Sequence, residues 1–218
     1  MEAFAYRGDA LYCEDLPVKK LAQDFGTPLY LYSKNAFLGQ FRELRDALTA
    51  LSPLICYSVK SNSNLSVLRL LKDQGAGADI VSGGELYRCL KAGISPDNIV
   101  FSGVGKTADE IRFGLSQRIR FFNIESLPEM AAINRIAGEL NMNAPVALRL
   151  NPDIDANTHA YTTTGKKENK FGLPLEKAEE YFRLAAALPN LTVKGVDLHL
   201  GSPIYKVDPY VKALEKLI

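Results

Sequence analysis

The sequence predicts an α/β fold, a (β/α)8 TIM-type barrel with about six of its eight strands present. Three observations predict it. Short apolar strands alternate with amphipathic helices along most of the chain. The turn after the first strand of that series, "KSNSN" at 60–64, holds no glycine, whereas a doubly wound dinucleotide-binding sheet needs glycine there for its backbone to approach a pyrophosphate. Polar residues also gather just past the strands: Lys60, Asp79, Ser82, Asn123, Glu125, Arg149, Asn151, His199 and Ser202. In a barrel that is the C-terminal mouth. Periodicity accommodates either fold; the loops favour the barrel.

Composition narrows the partners. With 47% hydrophobic and 23% charged residues over 218 positions, the chain can bury a core and is not disordered. Lys and Arg total 26 against 25 Asp and Glu, so no basic surplus is left to neutralise phosphates. Nucleic acid and membrane surfaces are excluded as expected partners, and a small molecule is favoured. The N-terminus lacks a basic-then-apolar leader and no apolar run reaches the length of a membrane span, so a cytoplasmic protein is expected. Cys13, Cys56 and Cys89 form no CxxC and are expected as buried free thiols, with no metal site.

Residues 1–33 read as a segment leading into the barrel, and 34–218 as the partial barrel itself. After a Ser33 N-cap, Phe37, Phe41, Leu44, Leu48 and Leu51 recur at helical steps. Strands follow at "LICYSV" (54–59), "GADIV" (77–81), "NIVFSG" (98–103), "IRFFNI" (119–124), "VALRL" (146–150) and "VKGVDLHL" (193–200). They are too apolar for half-exposed antiparallel strands and too short for helices. Between them Thr107 with Glu110 and Ser126 with Glu129 carry capping-box spacing, and Gly75 and Gly93 fit positions just past helix ends. Residues 151–174 are too polar and too long for an ordinary strand-to-helix connection, which marks a functional loop.

Side-chain alternation sets Cys56, Ser58 and Lys60 on one strand face, so Lys60 is expected at the rim of an apolar barrel. Partial desolvation there would lower its pKa and favour a neutral amine able to attack an aldehyde. The plainer reading is a strand-end lysine that snorkels to solvent. His199 shares a face with Asp197 at the end of the sixth strand, where a flat imidazole could cover a flat cofactor or simply sit satisfied in the core. Asp79 could orient a cation or start a helix, while Glu85 and Glu125 could be cappers only. Arg149, in the middle of an apolar run, requires an anionic or carbonyl partner. Ser202 and neighbouring N–H groups could take a phosphate. "SGVGKT" (102–107) lacks the spacing of a P-loop.

In order, "YSVKSNSN", "GADIVSGGEL", "FSGVGKT", "FFNIES", "RLNPDIDANTH", "TTGKKENKFGL" and "DLHLGS" resemble the barrel domain of the diaminopimelate decarboxylases. These are a branch of the pyridoxal phosphate (PLP) decarboxylases for ornithine, arginine and diaminopimelate. The resemblance implies an alanine-racemase-like barrel followed by a β-domain, and an amino-acid substrate, most specifically meso-diaminopimelate. It implies Lys60 as the Schiff-base lysine, His199 against the pyridine ring, and Asp79, Arg149 and Ser202 around the cofactor. A homodimer is expected for the complete protein. The family's last barrel strands, glycine-rich phosphate loop and C-terminal β-domain have no counterpart here, so the chain reads as an N-terminal portion, inactive alone. A related decarboxylase of ornithine, arginine or carboxynorspermidine, and a catalytically dead binding protein, are the alternatives.

Overall fold

The computed structural model describes residues 2–154 and 171–218. Most of the long polar loop, with His159, lies outside the described residues. The chain opens on a three-stranded antiparallel sheet, β1 (Phe4–Arg7), β2 (Ala10–Cys13) and β3 (Leu16–Pro17), then α1 (Val18–Phe25). Sequence periodicity missed this sheet because its strands are only two to four residues long. Its tight turns place Gly8 and Glu14 at φ 62° and 54°. Glu14 ties it to the next helix, α2 (Lys34–Ala47), accepting from Ser33 Oγ at 2.7 Å and from the Asn35 backbone N–H at 2.8 Å. Ser33 caps α2 as expected, accepting from the Ala36 N–H. Of the apolar stripe, however, only part is covered: Leu44 and Leu51 are exposed, and Leu48 and Leu51 lie beyond the helix.

Among the described residues seven parallel strands and their helices follow: β4 (Cys56–Ser58), α3 (Leu65–Lys72), β5 (Gly77–Ile80), α4 (Gly83–Ala92), β6 (Ile99–Phe101), α5 (Ala108–Gln117), β7 (Phe121–Ile124), α6 (Leu127–Glu139), β8 (Ala144–Asn151), the short β9 (Leu173–Pro174), α7 (Ala178–Ala187), β10 (Leu191–Leu198) and α8 (Asp208–Leu217). Their spatial order is β10-β8-β7-β6-β5-β4, with β9 beside the end of β8. Each new strand adds on the same side of the last. A doubly wound sheet would reverse direction at a switch point, so this order belongs to a singly wound, barrel-type sheet. β4 and β10 each keep an edge unpaired by any described strand.

Alternation along the strands separates two faces. Ala78, Ile80, Ile99, Phe101, Phe122, Ile124, Val146, Leu148 and Leu150 join Leu86, Ile111, Met130, Ile133 and Tyr181 of the helices in one core. Asp79, Val100, Asn123, Ala147, Arg149 and Asp197 occupy the intervening positions. In β10 the register shifts between Val193 and Gly195, and that bulge keeps Val196 and Leu198 with the helix-facing core. Thr107 and Glu110 form the full capping box on α5. Ser126 caps α6, but Glu129 reaches past it to the backbone N–H of Glu125.

Candidate functional site

The strand ends carry a belt of polar side chains that crosses the sheet. Ser58 Oγ donates to Asp79 Oδ2 at 3.0 Å, and Ser102 Oγ donates to Asp79 Oδ1 at 2.6 Å. Asn123 Nδ2 donates to Ser102 Oγ at 3.0 Å. Because the Ser102 hydroxyl spends its proton on Asp79, it can only accept from Asn123, which fixes the amide orientation. Glu125 Oε1 accepts from the Gly103 N–H at 3.2 Å and from Arg149 Nη1 at 2.5 Å. Arg149 Nε lies 3.8 Å from Asp197 Oδ2, and its guanidinium stands over the Phe171 ring at 5.9 Å. Arg149 therefore has the anionic partner its position demands.

Two atoms in the belt are left over. Asn123 Oδ1 and Glu125 Oε2 are buried acceptors with no hydrogen-bond partner among the described residues. An unmet buried acceptor costs about 1–3 kcal/mol, so both call for a donor brought by water or ligand.

The belt lines a cavity of about 640 Å³. Lys60, Asp79, Arg149, His199 and Ser202, all singled out in the sequence, line it together with Asn123, Glu125 and Asp197. Lys60 does not sit on the strand: β4 stops at Ser58, and Lys60 follows on a 3-10 turn, exposed. The desolvation expected for it at the barrel rim is thus not provided by this chain. No hydrogen bond or salt bridge among the described residues holds its Nζ. His199 is also one residue past its strand. Burial, with Arg149 and Lys60 nearby, lowers its pKa below the ordinary imidazole value, against smaller opposing effects of Asp79 and Glu125. The shift favours the neutral ring. Burial pushes Asp197 up to about 6, with Arg149 opposing and Glu125 and Asp79 adding to the rise. Ser202 is exposed beside Gly201.

Two expected alternatives are corrected. Asp79 starts no helix, since Ser82 is the N-cap of α4. Glu125 is no capper, because its carboxylate is committed to Arg149 and Gly103. Glu85 does act at a cap, accepting the Val81 N–H. The roles of Ser58 and Ser102 escaped the sequence reading; only their places at strand ends could have signalled them. Lys106 of "SGVGKT" points into the protein, with all three donors used on Gly103 O, Asn123 O and Glu129 Oε1. That occupancy rules out a P-loop role.

Residues 35–218 match the pyridoxal-binding domain of the pyridoxal-dependent decarboxylases. The chain belongs to that family. Among curated family members, the diaminopimelate decarboxylase of Pseudomonas fluorescens is 49% identical over 219 aligned residues, covering 100% of this chain and 53% of that protein. The diaminopimelate decarboxylase of Haemophilus influenzae is 47% identical, with 100% and 52% covered. The chain spans about half the length of the curated relatives it matches. Among solved structures, the diaminopimelate decarboxylase from m. jannaschii in co-complex with L-lysine superposes with a TM-score of 0.91 at 34% identity, covering 99% of this chain and 52% of that one. The Helicobacter pylori diaminopimelate decarboxylase complexed with L-lysine gives 0.88 at 44%, with 92% and 51% covered. These decarboxylase folds agree with an incomplete barrel here. The site's donor set fits the family's cofactor: an unheld amine at Lys60, a flat neutral imidazole at His199, and open acceptors at Asn123 and Glu125.

Proposed function

We propose that the chain is the PLP-binding part of a decarboxylase that converts meso-diaminopimelate to L-lysine and carbon dioxide. One observation carries the reading. Lys60, Asp79, Arg149, His199 and Ser202, drawn from four separate segments, line a single strand-end cavity. The similarity to diaminopimelate decarboxylases supports this substrate over ornithine or arginine.

Lys60 would hold the cofactor covalently through Nζ, which its exposed turn leaves free to move. His199 would lie against the pyridine ring as a neutral plate, adding no charge. Asp79 supplies a fixed negative charge, since Ser58 and Ser102 occupy both of its oxygens. Arg149, braced by Glu125, presents its guanidinium to the same space. Ser202 and the adjacent backbone suit a phosphate oxygen. In the reaction the bond from the α-carbon to the carboxylate breaks, carbon dioxide leaves, and a proton is delivered to the carbon that keeps the electron pair. When bound, PLP supplies the electron-accepting ring for that pair.

No helix among the described residues is long and apolar enough to cross a membrane. We take the working protein to be a cytoplasmic homodimer, as the family resemblance implies, acting on a small-molecule amino acid and on neither nucleic acid nor membrane. Among the described residues no strand pairs the outer edges of β4 and β10, and we expect a barrel open along those edges to turn over substrate poorly.

Borohydride reduction after incubation with PLP, followed by peptide mass mapping, should place the pyridoxyl group on Lys60. An adduct on Lys106 or Lys170 instead, with an unchanged chromophore in Lys60→Ala, would refute the assignment. Carbon dioxide release and lysine formation from meso-diaminopimelate, measured beside ornithine and arginine in a chain extended to full family length, test the substrate.

A further inference from the structure

Lys106 is a tightly held buried charge. Its side chain is 0% exposed. An ammonium has three protons to donate, and all three are spent: on Gly103 O at 2.7 Å, Asn123 O at 2.7 Å and Glu129 Oε1 at 2.5 Å. Its Nζ also stands 5.8 Å from the centre of the Phe101 ring. Burying an ion pair is no efficient route to stability, because an apolar pair of similar size commonly does as well. What the arrangement achieves is geometric.

Each acceptor belongs to a segment that aims Glu125. The Gly103 carbonyl is held by Lys106, while the Gly103 N–H donates to Glu125 Oε1. Asn123 lies two residues before Glu125 on the same strand end, and its carbonyl is the second anchor. The third anchor, Glu129, uses its other oxygen to accept the Glu125 backbone N–H at 2.7 Å. Lys106 thus clamps the two segments and the helix start from which the Glu125 carboxylate reaches Arg149. The Glu125 side chain is 2% exposed and has no solvent cushion in which to readjust.

We propose that Lys106 is a positioning residue for the cavity: it fixes the Glu125 carboxylate against Arg149 and so sets the direction in which Arg149 presents its guanidinium to a ligand. It touches no ligand itself. The inference rests on the reading of Arg149 as a cavity residue of the decarboxylase site, but its test is made on the bare chain, so the two can fail separately.

The test separates holding the fold from aiming the carboxylate. Lys106→Met alone strands the buried Glu129 charge and is expected to lose stability. The double variant Lys106→Met/Glu129→Gln removes both charges while keeping an acceptor for the Glu125 N–H, and its urea midpoint should return towards that of the parent chain. The readout is the NMR titration of His199, whose proton affinity responds to the charges of Arg149, Lys60, Asp79 and Glu125. The chain has two histidines, and a His159→Gln background leaves a single signal. With Glu125 no longer aimed, Arg149 is less neutralised, and the proton affinity of His199 should fall about twofold or more in the folded double variant. An unchanged His199 midpoint in that variant would overturn the proposal. So would failure of the double variant to fold, which would make Lys106 a determinant of the fold.

Discussion

Arg149→Met is the perturbation whose cost follows most directly from the geometry. The methionine keeps much of the side-chain stem and removes the guanidinium. Glu125, 2% exposed in its side chain, would be left with the Gly103 N–H at 3.2 Å as its remaining partner for an ionised carboxylate. Asp197 would lose the cation 3.8 Å away. Removing one partner of a buried pair costs about 3–5 kcal/mol, because the other charge stays behind uncompensated. Against a typical total of about 5–15 kcal/mol, that is a large share. Urea unfolding followed by circular dichroism should show the midpoint falling by about 1–2 M. The companion variant Arg149→Met/Glu125→Leu removes both charges and should recover most of the loss, leaving about 1 kcal/mol for the unmet Gly103 N–H. The double-mutant cycle should therefore give a coupling of at least about 2 kcal/mol. A single-variant loss below about 1 kcal/mol, or strictly additive losses, would refute the view of this pair as buried and mutually dependent.

Asp197 gives a pH signature. Its folded pKa, pushed up to about 6, lies above the ordinary value of 3.8, so the native state holds the extra proton between those values and stability falls as pH rises from about 4 to 6. His199, lowered on folding, acts oppositely: stability is lost as pH falls below the ordinary imidazole range. Asp197→Asn should therefore make stability rise more steeply with pH over this window; an unchanged slope in urea titrations at several pH values would count against the burial of Asp197. Gly77→Ala should destabilise by about 1–3 kcal/mol, since a Cβ there would meet Asn98 O at 2.4 Å and Cys56 Sγ at 2.9 Å, and the backbone carbonyl cannot swing aside. Thermal melting reads this, and a neutral or stabilising result would mean that the start of β5 tolerates displacement. The three thiols are all raised, Cys56 to about 11 and Cys89 to about 12 chiefly by burial. At pH 8 they should react slowly with a thiol reagent in the folded chain and rapidly in urea; prompt labelling of Cys89 without denaturant would indicate local opening of α4.

How much of this was legible in the sequence varied with the range of the interaction. Ser33, Thr107 and Glu110 announce helix starts because a cap is satisfied within three or four residues, and the apolar runs announce six of the seven parallel strands, all but the two-residue β9. The first sheet went unseen because strands of two to four residues carry too few alternations to stand out from their turns.

For the site, the sequence by itself determined which residues are present at strand ends: Lys60, Asp79, Arg149, His199 and Ser202 all line the cavity. It also dictated that Arg149 must be paired, since an isolated buried guanidinium is too costly to leave alone. Only the tertiary structure decided what each one touches. Glu125 looked like a capper because its neighbours in sequence are helix-start residues, yet its carboxylate crosses to Arg149 on the adjacent strand, 24 positions away. The spacing around Lys106 already argues against a nucleotide loop, but only the fold shows the side chain sealed against Asn123 and Glu129. Lys60 is expected at a strand end on the barrel rim, and the structure places it there on an exposed 3-10 turn. The order of the sheet, which separates a barrel from a doubly wound fold, likewise came from pairing. Periodicity records which face a residue occupies relative to its own backbone; the partner on that face is set by strands that meet only when the chain has folded.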